Sequence, residues 1–475
     1  HDAGDYNKYN GWFQTQWFCT QALSTAWILN NNTFWGNGPQ RIDSSAPDIL
    51  DEMLWGAAFM IKMTDTEDIR GTGKKGFIFE NLGGYFHHEK RNAFMSYWGP
   101  PEYYTSPEID GDERVCIPGA PQIYWVPGGP NEGIPYGCVG HARAFHFAGT
   151  LLQVARVLES YQAQHPDYKP PAWGVGWNLT PSYLREVAHY INESYAPLLK
   201  WTPENVFTEL GIGMILFHRE HAYLTGNWTE MNAWINGTLA NENHMSSYWM
   251  NDYALALILS TYLEFGIPIP SHVLDFALKK QTEYYAKYYP TDDPFIVKKF
   301  DDYKAGQLHL FRNGGWNHFP PDEGQTDQLL SVYLQTLLSH VLPSNRRIDI
   351  IQGEIDWLFG FNPLGLCLMS GVGHKHVPII HHRRQWYDNP SGHVPGGIIN
   401  GIKKAMPNKD YYDPNWRALN STENWKYGDD LPQVDTWLPS LLFNDGVSSG
   451  PQEIWIPHNA AWILFIENLN KYAFI

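Results

Sequence analysis

An all-α fold built as one domain over residues 1–475 is the expectation that three observations support. Apolar residues recur at three- and four-residue spacing in eleven separate runs, which is the period of a helix with one buried face. Threonine-proline pairs stand at the head of two of those runs, as Thr180-Pro181 and Thr202-Pro203, where an oxygen cap and a pre-set φ favour a helix start. No Gly/Ser or Pro-rich linker, charge block or low-complexity tract divides the chain.

The runs lie at about 11–29, 48–63, 141–162, 181–196, 206–225, 229–239, 247–265, 271–289, 326–342, 346–359 and 458–470. In the third, Ala142, Phe145, Phe147, Ala148, Leu151, Leu152, Ala155 and Leu158 form a stripe too broad for a surface helix. A helix packed on two sides needs such a stripe. Between the runs, 64–140 and 360–457 are long and rich in Gly, Pro and aromatic residues. Connections of that length in a compact domain usually form functional walls.

Composition narrows the function. A formal net charge of −17 argues against nucleic acid or an anionic membrane surface as a partner, because both call for a basic face. No uninterrupted apolar stretch reaches the length of a membrane-spanning helix, and no signal peptide is visible. Twenty-one Trp and 28 Tyr exceed what a helical core requires and suit stacking on the apolar faces of sugar rings. Six Asn-x-Ser/Thr tripeptides, at Asn31, Asn178, Asn192, Asn227, Asn236 and Asn420, fit a secreted glycoprotein. Cys116 and Cys138 flank a Pro/Gly-rich loop and are candidates for a disulfide in an oxidising compartment, while Cys19 and Cys367 read as buried thiols. No CxxC pair suggests a thiolate zinc site.

Carboxylates at the two ends of the chain carry the chemistry. Asp2 and Asp5 stand in His1-Asp2-Ala3-Gly4-Asp5-Tyr6, and Glu453 stands in Gly450-Pro451-Gln452-Glu453-Ile454-Trp455-Ile456. A glycosidase needs one carboxyl protonated to donate to the leaving oxygen and another ionised to activate water. Apolar neighbours Ile454, Trp455 and Ile456 would raise the Glu453 pKa by desolvation. The competing readings are a helix cap for Asp2 and Asp5 and an ordinary first-turn carboxylate for Glu453.

The run Asp2-Ala3-Gly4-Asp5-Tyr6-Asn7-Lys8-Tyr9 resembles the DAGDxxK(Y/F) signature of glycoside hydrolase family 9, inverting cellulases with an (α/α)6 barrel. Further segments agree in order. They are Asp48 to Met63 with Gly56, Trp98-Gly99-Pro100-Pro101-Glu102, Phe300-Asp301-Asp302-Tyr303-Lys304 and Asp356-Trp357-Leu358-Phe359-Gly360-Phe361-Asn362-Pro363-Leu364-Gly365. Gly371-Val372-Gly373 then leads to His381-His382-Arg383, and Pro395-Gly396-Gly397 precedes Glu453 with Asn459-Ala460 six residues beyond it. The chain departs from the family pattern at Gln452, at Pro457-His458 where the family has Asp-Tyr, and at Leu366 where it has Arg. These departures bear on substrate and subsite detail more than on the reaction.

The resemblance implies Asp5 as general base, Asp2 as a second holder of the attacking water and Glu453 as general acid. It implies sugar contacts by His381, His382 and Arg383, and a cleft lined by rings among Trp98, Tyr103, Trp125, Trp316, Trp386 and Trp455. The implied substrate is a β-1,4-linked glucan. Alternatives are an exo-acting glucosaminidase or other oligosaccharide hydrolase of the same family, and a catalytically silent structural or carbohydrate-binding glycoprotein. No cofactor is expected, although calcium is compatible, with ligands that the spacing does not identify. Zinc on His374, His376, His381 and His382, or copper on His1, are weaker readings. Family members carry a further helix ahead of the DAGD signature, so an N-terminal fragment or neighbouring subunit is expected to supply it.

Overall fold

The computed structural model describes residues 15–31, 46–68, 71–79, 133–135, 138–170, 172–173, 177–241, 248–289, 324–362, 365–376, 395–399 and 456–473. They fall into two compact units, one of residues 15–271 with 463–473 and the other of residues 272–462. Eleven α-helices stand among the described residues, each where the apolar period places one. They are α1 (Thr15–Leu29), α2 (Asp48–Met63), α3 (His141–Gln164), α4 (Pro181–Tyr195), α5 (Thr208–Thr225), α6 (Thr229–Ala240), α7 (Tyr248–Glu264), α8 (Ser271–Tyr288), α9 (Gly324–Val341), α10 (Ile348–Leu358) and α11 (Ile456–Asn468).

In the first unit α3 is the hub, packed against α1, α2, α4 and α5. All eight residues of its broad stripe are buried, and so are the polar His141, His146, Thr150 and Gln153. Gly149 lets α3 come close to α5. A Cβ there would stand 2.6 Å from the Leu216 carbonyl carbon and 2.7 Å from the Phe217 nitrogen, so any larger residue forces two backbones apart. At the rim, α4 is amphipathic in the ordinary way. Leu184, Val187, Ala188 and Ile191 are buried, while Ser182, Glu186, His189 and Glu193 face water.

Thr180 caps α4, accepting from the Tyr183 N–H at 3.3 Å with Pro181 next in line. Thr202 behaves differently from expectation. It heads a single 3-10 turn, Pro203–Asn205, in which Asn205 Oδ1 accepts from the Thr202 N–H at 2.7 Å, and α5 begins only at Thr208 after Phe207. A Thr-Pro pair prepares either kind of turn, and here the following Val206-Phe207 extends the chain. A two-strand antiparallel hairpin, β1 (Ala172–Trp173) with β2 (Trp177–Asn178), has no counterpart in the sequence reading.

In the second unit α9 packs on α10 through the 3-10 turn Pro343–Asn345. Gln281 of α8 donates to the Asn345 carbonyl at 2.8 Å, and Tyr289 donates to Glu354 Oε1 of α10 at 3.0 Å inside the core. No helix among the described residues is long and apolar enough to cross a membrane.

Candidate active site

Asp2, Asp5 and Glu453 lie outside the described residues, as do His381, His382, Arg383, Trp98, Tyr103, Trp125, Trp316, Trp386 and Trp455. The described residues on either side of His381–Trp386, 365–376 and 395–399, and those just after Glu453 and Trp455, from Ile456, form a framework within the second unit.

Its base is the end of α10. Gly360, at φ +118°, turns the chain, and Phe361 N–H donates to the Asp356 carbonyl at 2.7 Å. Only glycine adopts that backbone without strain. Asn362 then ties the turn down, its Nδ2 donating to the carbonyls of Trp357 and Leu366, each at 2.8 Å. One buried amide therefore closes the helix and fixes the start of the next segment.

That segment, 365–376, is stitched to 395–399. Leu368 N–H donates to the Leu358 carbonyl at 2.8 Å and Ile399 N–H to the Leu368 carbonyl at 3.2 Å. Ser370 N–H donates to the Gly397 carbonyl at 2.9 Å, while Gly396 N–H donates to the Ser370 carbonyl at 2.8 Å. Cys367 N–H donates to the Lys375 carbonyl at 2.8 Å, bringing the chain back alongside itself at His376. Residues 376 and 395 bracket His381-His382-Arg383 in sequence, so both ends of that stretch are anchored on one plate.

The plate is joined to the first turn of α11. Asn459 Nδ2 donates to the Gly396 carbonyl at 2.7 Å, and Asn459 Oδ1 accepts from the Ile398 N–H at 3.3 Å. Beside it, buried His458 holds Nδ1 2.6 Å from Thr326 Oγ1 in the first turn of α9. The motifs that precede and follow the expected acid and sugar-binding residues are thus assembled together, although they are distant in sequence.

Other expectations divide. Cys367 is buried and its thiol pKa is raised by desolvation. Burial pushes the half-buried Cys19 up to about 11, so neither is a ready nucleophile. Cys138 is buried, while its expected partner Cys116 lies outside the described residues. Asn178, Asn227 and Asn236 are exposed, Asn31 and Asn192 are half-buried, and Asn420 lies outside the described residues. Among the described residues no group of three or more His, Cys, Asp or Glu side chains is placed to hold a metal ion.

Comparison with known proteins agrees with the framework. The model of the family described as Glycosyl hydrolase family 9 matches residues 213–428. A xyloglucan-specific endo-beta-1,4-glucanase of Bacteroides ovatus is 21% identical over 423 residues, 87% of this chain, and the chain spans 62% of that relative's length. Among solved structures, a Bacteroides ovatus GH9 protein superposes with a TM-score of 0.59 at 17% identity, covering 99% of this chain and 71% of that one. The cellulase Cel9M of C. cellulolyticum gives 0.57 at 13% identity, covering 99% and 86%. A thermostable endoglucanase of Alicyclobacillus acidocaldarius gives 0.56 at 16%, covering 99% and 74%. These likenesses establish the fold class, the all-α (α/α)6 barrel.

Proposed function

Because the chain belongs to glycoside hydrolase family 9, we propose that it hydrolyses a β-1,4-linked glucan with inversion at the anomeric carbon. Asp5 takes the proton from the attacking water, Asp2 holds that water, and Glu453 protonates the leaving glycosidic oxygen. His381, His382 and Arg383 hydrogen-bond sugar hydroxyls, and rings among Trp98, Tyr103, Trp125, Trp316, Trp386 and Trp455 stack on sugar faces. We place the protein outside the cell, with sugar on exposed Asn178, Asn227 and Asn236.

The observation that carries this reading is the framework built by Asn362, the 367–370 and 396–399 segments and Asn459. Three separate stretches of the resembling motifs meet there, at Asn362, Gly396-Gly397 and Asn459, which a chance match of short patterns would not produce.

Product stereochemistry tests it. An NMR time course on a β-1,4-gluco-oligosaccharide is expected to show the α-anomer first, with Asp5→Asn abolishing turnover on every substrate. Glu453→Gln is expected to spare substrates with activated leaving groups, which do not need the acid. A first-formed β-anomer, or a fully active Asp5→Asn variant, overturns the reading.

A further inference from the structure

The start of α11 is held by two consecutive polar side chains that reach different partners in the second unit. His458 pairs with Thr326 of α9 at 2.6 Å, and Asn459 clamps the 395–399 turn through both ends of its amide at 2.7 and 3.3 Å. Rocking or sliding the first turn of α11 breaks all three of these contacts. Pro457, buried and immediately before His458, removes a soft dihedral at the same point. Glu453 lies five residues before His458 in the sequence.

The two ties differ in origin. Asn459 matches the resembling motif, whereas His458 stands where that motif has tyrosine. Imidazole joined to a threonine hydroxyl is therefore this chain's own way of holding the turn. It is also a directional tie, because a buried ring with an oxygen 2.6 Å from Nδ1 has its rotation about χ2 fixed by that contact.

We infer that His458, fixed by Thr326, is a positioning residue for the general acid. It sets where the first turn of α11 begins, and Glu453 stands three residues before that turn in the sequence. The inference rests on the reading of Glu453 as the acid. A general acid works only within hydrogen-bond reach of the leaving oxygen, and a misplacement of about 1 Å costs on the order of a hundredfold in rate.

The test uses Thr326→Val, which removes the hydroxyl at nearly constant volume, and Thr326→Ser, which keeps it. Each is assayed on a β-1,4-gluco-oligosaccharide and on an aryl β-glycoside of the same sugar with a dinitrophenolate leaving group. Thr326→Val is expected to lower kcat on the oligosaccharide by roughly ten- to a hundredfold, with KM changed less than about twofold. On the aryl substrate, where departure needs no proton, the loss is expected to stay under about threefold. Thr326→Ser restores the oligosaccharide rate, and His458→Phe reproduces the Thr326→Val pattern.

Equal losses on both substrates, or lowered thermal stability with both rates unchanged, overturn the role, since a merely structural bond predicts those outcomes. If His458→Phe fails to fold, the Val and Ser variants at 326 decide alone. Glu453→Gln, run on the same two substrates, separates the two ideas. If it discriminates between leaving groups and Thr326→Val does not, only the role of His458 falls. Without discrimination by Glu453→Gln, the acid assignment falls and this role with it.

Discussion

Helix α3 manages buried polarity in two opposite ways along its length. Toward α5 and α7, Arg156 makes a bidentate pair with Glu220, Nε to Oε2 at 2.7 Å and Nη2 to Oε1 at 2.9 Å, and a further bond to Glu264. Its guanidinium also lies 5.1 Å from the Tyr223 ring centre and 5.0 Å from that of Phe265. Buried Arg219 stands 3.2 Å from Glu220, so two cations face two carboxylates and the cluster is neutral. Toward α1 the same helix buries His146, Thr150 and Gln153. His146 stacks on Trp17 with centroids 4.0 Å apart, yet neither ring nitrogen has a hydrogen-bond partner among the described residues. Thr150 Oγ1, Gln153 Oε1 and Trp17 Nε1 share that condition. Formal charges are balanced in number on one side, where Arg219 Nε and Nη2 still make no hydrogen bond among the described residues, and neutral polar atoms are left without such bonds on the other. The difference follows from cost. An unpaired buried ion costs several kcal/mol, whereas an unpaired hydroxyl or amide costs about 1–3 kcal/mol.

Removing the cation breaks the matched side and is the largest effect expected. Burial alone disfavours the Arg156 charge, but Glu220 and then Glu264 hold its pKa above the usual guanidinium value. Arg156→Met keeps much of the apolar stem and leaves two carboxylates against one remaining cation. A loss of roughly 3–5 kcal/mol is expected from denaturant unfolding at neutral pH. A loss below about 1 kcal/mol would place the cluster in the class of exposed pairs.

Acid titration sharpens the unmatched side. Desolvation lowers His141 to about 4, and lowers His146 well below its ordinary value. His218 on α5 is likewise held at about 4 by desolvation, with His221 adding repulsion. Unfolded histidines titrate near 6.5, so between there and about pH 4 the unfolded chain binds protons that the folded chain does not. The stability from these groups is complete above pH 6.5 and falls as pH drops, levelling off below about 4 for His141 and His218. His141 and His218 each contribute on the order of 3 kcal/mol across that window, and His146 adds to it in the same direction. His146→Phe keeps an aromatic ring against Trp17 and removes one titrating group. Urea midpoints measured from pH 7.5 to 5 are expected to fall less steeply for the variant than for the parent, and parallel slopes would refute the assignment.

The helices are legible in the sequence because burial imposes a period, as Leu184, Val187, Ala188 and Ile191 do in α4. The hairpin at Trp173 and Trp177 is not, since two-residue strands carry no period and Gly174 and Gly176 between them read only as a loop. Thr202-Pro203 shows a different limit, because the first turn of a 3-10 helix and of an α-helix want the same residues. At the candidate site the glycines and Asn362 belong to short motifs whose hydrogen bonds are local, so a pattern is enough to find them. Asn459 and His458 reach partners 63 and 132 positions away, at Gly396 and Thr326. Spacing holds no information about such partners, and for His458 the departure from the resembling motif is the one clue.

The smallest expected effect separates two threonines in the same polar region. Thr25 Oγ1 accepts from Gln21 Nε2 at 2.9 Å and from Gln153 Nε2 at 3.0 Å, while Thr150 Oγ1 has no partner among the described residues. Valine is close to threonine in shape, so each Thr→Val change removes a hydroxyl and little volume. Thr25→Val strands two buried amide donors and is expected to cost about 1–3 kcal/mol. Thr150→Val strands no donor or acceptor among the described residues, so a change within about 0.5 kcal/mol or a slight gain is expected. Denaturant midpoints at pH 7.5, where the histidines are neutral in both folded and unfolded chains, make the comparison clean. If Thr150→Val costs as much as Thr25→Val, the unmatched atoms of α3 are satisfied by buried solvent, and the contrast between its two sides disappears.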